Sequence, residues 1–143
     1  MAQLRYLWVI QTTSTEANAD TEDGFTLVIY SPINPQAEVG RLSFPDLPHD
    51  ERERGRTDQY RFDMREEGVE INMFGLSEGE FALQTNGRDA WLPASIWIIG
   101  QDIRGVRSLL VDLPSWPNDL WFSRDSSEGS GLRRLDEPFR LFN

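Results

Sequence analysis

Apolar and polar residues alternate in short runs along most of the chain, which is the pattern of β-strands with one face in a core. The clearest run is 57–65, where Tyr60, Phe62 and Met64 share one face and polar or charged residues occupy the other. Further strands are predicted at 4–10, 25–30, 39–44, 69–74, 81–85, 95–99 and 106–112. In 4–10 both alternating sets are mostly apolar, which predicts a central strand covered on both sides.

These runs favour one all-β domain, an antiparallel β-sandwich of about eight strands with almost no helix. No window carries a long helical apolar stripe with capping residues. Residues 126–131 are rich in Ser and Gly, so we divide the chain into a sandwich domain at 1–125 and a linker with a C-terminal tail at 126–143. The candidate anchors by which the tail docks are Leu135, Phe139, Leu141 and Phe142.

Composition narrows the possible partners and the compartment. The 143 residues suffice for one core, and five Trp and eight Phe argue for a folded protein despite a net charge of −10. So acidic a surface repels phosphate backbones, which argues against nucleic acid as a partner. We expect a cytoplasmic protein, because no secretory signal is visible at the N-terminus. No run reaches the roughly 18 apolar residues of a membrane span, so membrane contact is expected to be peripheral.

The chain lacks the residues on which most catalytic sites depend. It contains no Cys and no Lys, which removes thiolate nucleophiles and cysteine-based metal sites. The only histidine, His49, lies in a charged loop, so a catalytic triad has no support. Neither a phosphate-binding glycine motif nor a nucleophile elbow is present. We therefore expect a protein that is not an enzyme, although any acidic sequence offers carboxylate pairs of the kind that glycosidases use.

Oxygen-bearing side chains gather in two loops, 18–23 and 86–89, and an apolar strand follows each loop. Ca²⁺ binds about six to eight oxygen atoms from carboxylates, amides and backbone carbonyls. If both loops lie at the same end of a sandwich, they form a candidate calcium site. The alternative is that these residues serve turns and solubility, since their spacing matches no established calcium motif.

Trp116 is the candidate membrane or ligand contact. Pro114 and Pro117 flank it and hinder its inclusion in a central strand, which predicts a position on or near a loop. A Trp exposed there could anchor in a lipid interface or stack on a sugar. Trp8 and Trp97 lie in strand patterns and are expected in the core.

Three segments resemble the PLAT domain family, also called LH2, an eight-stranded β-sandwich found in lipoxygenases, lipases, bacterial phospholipase toxins and polycystins. Residues 53–60, Glu-Arg-Gly-Arg-Thr-Asp-Gln-Tyr, resemble the family's Glu-Arg-Gly-Ser-Thr-Asp-x-Phe segment. Residues 19–30 resemble its Ala-Gly-Thr-Asp-Ala-Asn stretch and second strand, and 91–98 resemble its Trp-Phe-Leu-Asp-x-Val-x-Val strand. The three segments occur in the family's order and spacing, and the resemblance covers about 4–99.

The resemblance implies a non-catalytic module that docks on lipid or on a partner protein, in some members through Ca²⁺ held by acidic loops. The calcium ligands would then be Glu22, Asp23, Asn86 and Asp89, with Asp20 as a further candidate. Asp20 stands where the family has glycine, and Glu22 where it has the usual ligand Asp. Two alternatives stay open: a carbohydrate-binding β-sandwich, and an acidic protein-interaction module without metal.

Overall fold

Two four-stranded antiparallel sheets form a β-sandwich in the computed structural model, which describes residues 2–45 and 51–140. The strands of the first sheet are β1 (Leu4–Thr13), β4 (Thr57–Asp63), β6 (Pro93–Asp102) and β7 (Arg107–Leu113). Those of the second are β2 (Phe25–Tyr30), β3 (Glu38–Ser43), β5 (Phe81–Thr85) and β8 (Leu132–Arg134). The strand orders are β4-β1-β6-β7 and β3-β2-β5-β8. The predicted fold class is confirmed.

The core lies between the sheets, because each strand turns its more apolar face inward. Leu7 and Val9 of β1, Leu27 of β2 and Ile98 of β6 are fully buried in one cluster. Tyr60, Phe62 and Met64 belong to the same cluster, as their alternation predicts. Burial of such side chains stabilises the fold by about 1.5–3 kcal/mol each.

Helix is confined to short pieces in the described residues. These are α1 (Met64–Glu67), α2 (Glu137–Arg140) and a 3₁₀ turn at Glu78–Glu80. Strand β4 ends before the predicted residue 65, because the Asp63 side chain accepts the Arg65 N–H and caps α1. Gly68, with φ of 69°, ends α1 in the left-handed conformation. No helix in the described ranges is long and apolar enough to cross a membrane.

The predicted strand at 69–74 is wrong, although its pattern of burial is right. This segment makes only an isolated bridge between Gln3 and Asn72. Ile71 and Met73 are nevertheless buried, because the segment crosses one end of the sandwich beneath the start of β1. The Leu4 N–H donates to the Ile71 carbonyl at 2.8 Å. Alternating burial therefore arises here without a sheet.

Two expectations for the first sheet need correction. Strand β1 does lie inside the sheet, but its outward residues Tyr6, Trp8 and Ile10 are only half-buried. It is therefore covered fully on one side and not on both. Trp8 and Trp97 are half-buried on this outward face and do not belong to the core.

Part of the segment set apart as a C-terminal tail completes the second sheet. Strand β8 pairs antiparallel with β5, with Leu83 opposite Arg133. Leu135 is fully buried and its N–H donates to the Phe81 carbonyl, whereas Phe139 remains half-exposed. Residues 132–135 are thus integral to the sandwich, and the other two predicted anchors, Leu141 and Phe142, lie outside the described residues.

Candidate functional site

The two loops of the predicted calcium site lie side by side at one end of the sandwich. We call this the acidic end and define it by the described loops 14–24, 51–56 and 86–92. The Asn86 N–H donates to the Gly24 carbonyl at 2.9 Å, and the Thr21 hydroxyl donates to the Asp89 carbonyl at 3.0 Å. These bonds join segments more than sixty residues apart in sequence.

Asp23 holds the two loops together. Its carboxylate accepts the Asp89 N–H at 2.8 Å and lies against Gly87, where a methyl group would overlap it. Such a charge-assisted bond to a backbone amide is stronger than a neutral one. The carboxylate that the resemblance assigns to calcium is therefore already used in a structural bond.

Of the other predicted ligands, one lies near an arginine and three are exposed. Asp20 lies 4.0 Å from the Arg54 guanidinium, while Glu22, Asn86 and Asp89 are exposed. Within residues 2–45 and 51–140, no three His, Cys, Asp or Glu side chains are grouped so that they could hold a metal ion. The Asp89 N–H engages only one of the two Asp23 carboxylate oxygens, and the calcium site stays a prediction.

Beneath the acidic end lies a buried arginine. Arg52 is 3% exposed, and its guanidinium carbon lies 4.6 Å from the centroid of the Phe25 ring, within cation–π distance. Its backbone N–H donates to the buried Asp58 carboxylate at 2.8 Å. Burial raises the pKa of Tyr60, whose hydroxyl donates to Glu51 at 2.7 Å. Through this network, the 53–60 segment supports the loops of the acidic end. His49 lies outside the described residues.

Trp116 is not a surface contact, which corrects the prediction. It lies in a loop, as its flanking prolines indicate, but it is only 6% exposed. Its indole N–H donates to the Leu120 carbonyl at 2.9 Å, and its ring stacks on Phe122 with centroids 5.7 Å apart. The loop after β7 folds back over the core, so a position outside a strand did not mean exposure.

The opposite end of the sandwich carries exposed apolar side chains that the sequence analysis missed. We call Ile33, Phe74, Ile103 and Val106 the apolar tip. Their exposed fractions are 93%, 76%, 52% and 53%, respectively. They lie on three different loops, between β2 and β3, between α1 and β5, and between β6 and β7. A single apolar residue beside Pro or Gly in a turn is the sequence signal that would have identified most of them.

Phe74 is the centre of the apolar tip. It lines a groove of about 450 Å³ with Ile33 and a second groove of about 230 Å³ with Val106. Gly75, with φ of 83°, turns the chain directly after Phe74 and packs against Pro32. The loops are thus held together, and their apolar side chains form one discontinuous surface.

Charged side chains of both signs lie beside the apolar tip. Arg104 follows Ile103 at the turn between β6 and β7 and is 3.8 Å from the buried Asp102 carboxylate. The predicted calcium ligands all lie at the far end of the strands. Apolar and acidic loop surfaces are therefore separated by the length of the sandwich.

Comparison with solved structures identifies the class of fold. The chain is similar to an alpha toxin from Clostridium absonum, with a TM-score of 0.65 and 13% identity over 94% of this chain. It is also similar to the alpha-toxin of an avian strain of Clostridium perfringens, with a TM-score of 0.58 and 17% identity over 93% of this chain. It spans only 32% and 31% of those two proteins. At such identities the likeness establishes the fold alone.

No protein-family profile matches the sequence, and no curated protein does. The likeness to PLAT domains therefore remains a resemblance carried by three short segments. What the structure adds is the β-sandwich itself.

Proposed function

We propose that this chain is a non-catalytic binding module that docks on a lipid surface through the apolar tip. The observation that carries the proposal is the exposure of Phe74 and Ile33 on neighbouring loops at one end of the sandwich. Exposed apolar side chains that cluster on a soluble fold mark sites of interaction. The PLAT resemblance supports the same kind of role, docking on lipid or on a partner protein.

The shape of the apolar tip favours lipid over a rigid partner. Its side chains protrude from three separate loops and are divided by grooves. A partner protein would therefore need a surface of complementary shape to fill these grooves. A bilayer interface adapts to separate protrusions, and each side chain can enter the headgroup and acyl boundary on its own. The tip therefore suits a deformable surface.

The expected affinity follows from the buried area. Complete transfer of a Phe or Ile side chain from water contributes about 1.5–3 kcal/mol, so Phe74 and Ile33 together supply about 3–6 kcal/mol. The cost of restricting the protein at the surface offsets part of this gain. Binding by a single module should therefore be weak and reversible.

The charge of the chain predicts which lipid it prefers. A net charge of −10 opposes approach to anionic headgroups, and at the tip Arg104 is balanced by Asp102 while Glu70 lines the groove beside Phe74. We expect vesicles of zwitterionic phosphatidylcholine to bind at least as well as vesicles that contain phosphatidylserine. This binding should not require Ca²⁺.

A second candidate is docking through Ca²⁺ at the acidic end, favoured by the two adjacent acidic loops joined through Asp23 and Asp89. Bound Ca²⁺ would neutralise carboxylates that otherwise repel an anionic membrane. This mode makes the opposite prediction, since it needs both phosphatidylserine and Ca²⁺.

Cosedimentation with vesicles tests the proposal. Phe74→Ser should reduce binding to phosphatidylcholine vesicles several-fold, with or without a chelator, because it removes the central apolar contact. Leu132→Ser is the matched control, since Leu132 is an exposed apolar residue of β8 away from the tip. If binding is lost with chelator and unchanged by Phe74→Ser, the acidic end is the docking site. If no vesicle binds, the lipid proposal is wrong and a protein partner becomes the leading explanation.

A further inference from the structure

The lipid proposal assigns no role to a cavity that lies beside the apolar tip. We call it the polar cavity. It has a volume of about 550 Å³ and lies between the start of β1, helix α1 and the turn after β6. The buried side chains of Leu4 and Met64 line it, and so does Ile103, a member of the apolar tip. The polar cavity therefore opens next to a side chain that the lipid proposal places at the membrane.

Hydrogen bonds between neighbouring segments hold the walls of the polar cavity in place. The Ile103 N–H donates to the Gln3 carbonyl at 2.9 Å, which ties the turn after β6 to β1. The Leu4 N–H donates to the Ile71 carbonyl at 2.8 Å, which ties β1 to the segment after α1. A cavity whose walls are already fixed loses little conformational entropy when a ligand enters it.

Two charged side chains of the cavity lining have no ion pair in the described part of the chain. They are Arg65 and Glu70, and both are exposed. Arg5 also lines the cavity, but its guanidinium lies 3.0 Å from the Asp63 carboxylate, which compensates its charge. The acidic residues at 66–67 do not line the cavity. The lining thus offers one cation and one anion that no described residue compensates.

Glu70 connects the polar cavity to the apolar tip. It lines the cavity and also the groove that Phe74 and Ile33 form. The polar cavity therefore borders the tip on two sides, at Ile103 and at Glu70. When the apolar side chains enter the boundary between headgroups and acyl chains, the groups beside them lie at the depth of the headgroups. A docked tip would place the polar cavity level with phospholipid headgroups.

The two uncompensated charges select a dipolar ligand. A simple anion would be attracted by Arg65 and repelled by Glu70, and a simple cation would experience the reverse. A zwitterion can place its phosphate at the guanidinium, whose N–H groups suit phosphate oxygens, and its ammonium group at the carboxylate. The apolar wall at Leu4 and Met64 suits the methylene groups between the two charges.

From this arrangement we propose that the polar cavity binds the zwitterionic headgroup of a phospholipid, in which a phosphodiester is joined to an amino alcohol. The inference rests on the proposed lipid function and adds a second, polar contact to it. It also gives a physical reason for the expected preference among vesicles. Phosphatidylserine carries one carboxylate more than phosphatidylcholine, and Glu70 repels it.

Titration of the full chain with soluble glycerophosphocholine tests the polar cavity without a membrane. The amide chemical shifts of Gly68 and Val69, which line the cavity, should change with a Kd in the roughly millimolar range expected for so small a ligand. Dimethyl phosphate and choline, each with one of the two charges, should bind at least about threefold more weakly. Phe74→Ser should leave this titration unchanged, because a soluble ligand does not need the apolar tip.

Two substitutions of opposite charge effect test the pairing. Arg65→Gln and Glu70→Gln should each weaken glycerophosphocholine binding by roughly three- to fivefold, the size of a charge contact that is open to water. Each should also reduce cosedimentation with phosphatidylcholine vesicles. Non-specific electrostatics would instead move the two variants in opposite directions, since one makes the chain more acidic and the other less. The matched controls are Arg124→Gln and Glu128→Gln, at exposed residues remote from the tip, and they should have no effect.

The soluble and vesicle assays separate this inference from the proposed function. If vesicles bind but Gly68 and Val69 do not shift at about 50 mM glycerophosphocholine, the headgroup site is wrong and docking through the apolar tip stands. Opposite effects of Arg65→Gln and Glu70→Gln, or equal binding of dimethyl phosphate, would also overturn the headgroup site. Soluble binding with no effect of these two substitutions on vesicles would show a site for a free phosphodiester and overturn the membrane source. If no vesicle binds, the lipid function fails and the headgroup proposal fails with it.

Discussion

Thr13→Val should destabilise the protein by removing a buried hydrogen bond that secures the end of β1. The Trp91 indole N–H donates to the Thr13 hydroxyl at 2.9 Å, and Thr13 and Trp91 are 1% and 0% exposed, respectively. Valine has nearly the shape of threonine but no acceptor. The substitution therefore leaves a buried indole N–H without a partner and water cannot replace it.

An unsatisfied buried donor costs about 1–3 kcal/mol. For a chain of about this size, each kcal/mol corresponds to roughly 2–4 °C in melting temperature. We expect Thr13→Val to lower the free energy of unfolding by about 1–3 kcal/mol, measured by urea titration followed by far-UV circular dichroism. The midpoint should fall without a change in slope, because the surface exposed on unfolding stays the same.

Thr12→Val is the matched control, one residue earlier on the opposite face of β1. Its hydroxyl pairs with the Thr57 hydroxyl at 2.8 Å where water has access, so the loss should stay below about 0.5 kcal/mol. In a Trp91→Phe background, Thr13→Val should also cost less than about 0.5 kcal/mol, because the donor is gone. Equal losses at Thr12 and Thr13, or an unchanged cost in that background, would refute the reasoning.

Three further predictions address the core, the acidic loops and catalysis. Phe62→Ala should cost about 3–5 kcal/mol in the same unfolding assay, and a loss under about 1 kcal/mol would show that this side chain is not in the core. Calorimetric titration should detect Ca²⁺ binding with a Kd of about 10⁻⁴–10⁻³ M, and Asp89→Ala should abolish this binding. The absence of heat at roughly 10 mM Ca²⁺ would show that the predicted site is wrong. Purified protein should hydrolyse no ester, phosphoester or glycoside, and turnover that a single carboxylate substitution abolishes would contradict this prediction.

The strands could be predicted from the sequence because alternation is a local signal. In 57–65 the period of two places Tyr60, Phe62 and Met64 on one face, and all three are buried. The same signal failed at 69–74, where Ile71 and Met73 are buried by crossing the end of the sandwich without joining a sheet. Alternation predicts which face of a segment packs on the core. It does not predict the strand with which the segment forms hydrogen bonds.

The candidate surfaces were harder to predict, because exposure depends on residues that are remote in sequence. The prolines beside Trp116 correctly excluded a strand, yet the loop folds onto Phe122 and buries the indole. Conversely, Phe74 lies one residue after the buried Met73 and is 76% exposed. Neighbouring residues do not indicate which apolar side chain the rest of the chain will cover.

By itself, the sequence determined the all-β class, the inward faces of most strands and the acidity of the loops before β2 and β6. These properties depend on side-chain chemistry and on a two-residue period, both of which are local. The tertiary structure decided that those loops share one end, that Asp23 is engaged by the Asp89 N–H, and that residues 132–134 complete the second sheet. Each of these outcomes requires the closure of long loops and the pairing of distant strands, whose free energy is set by the assembled sandwich.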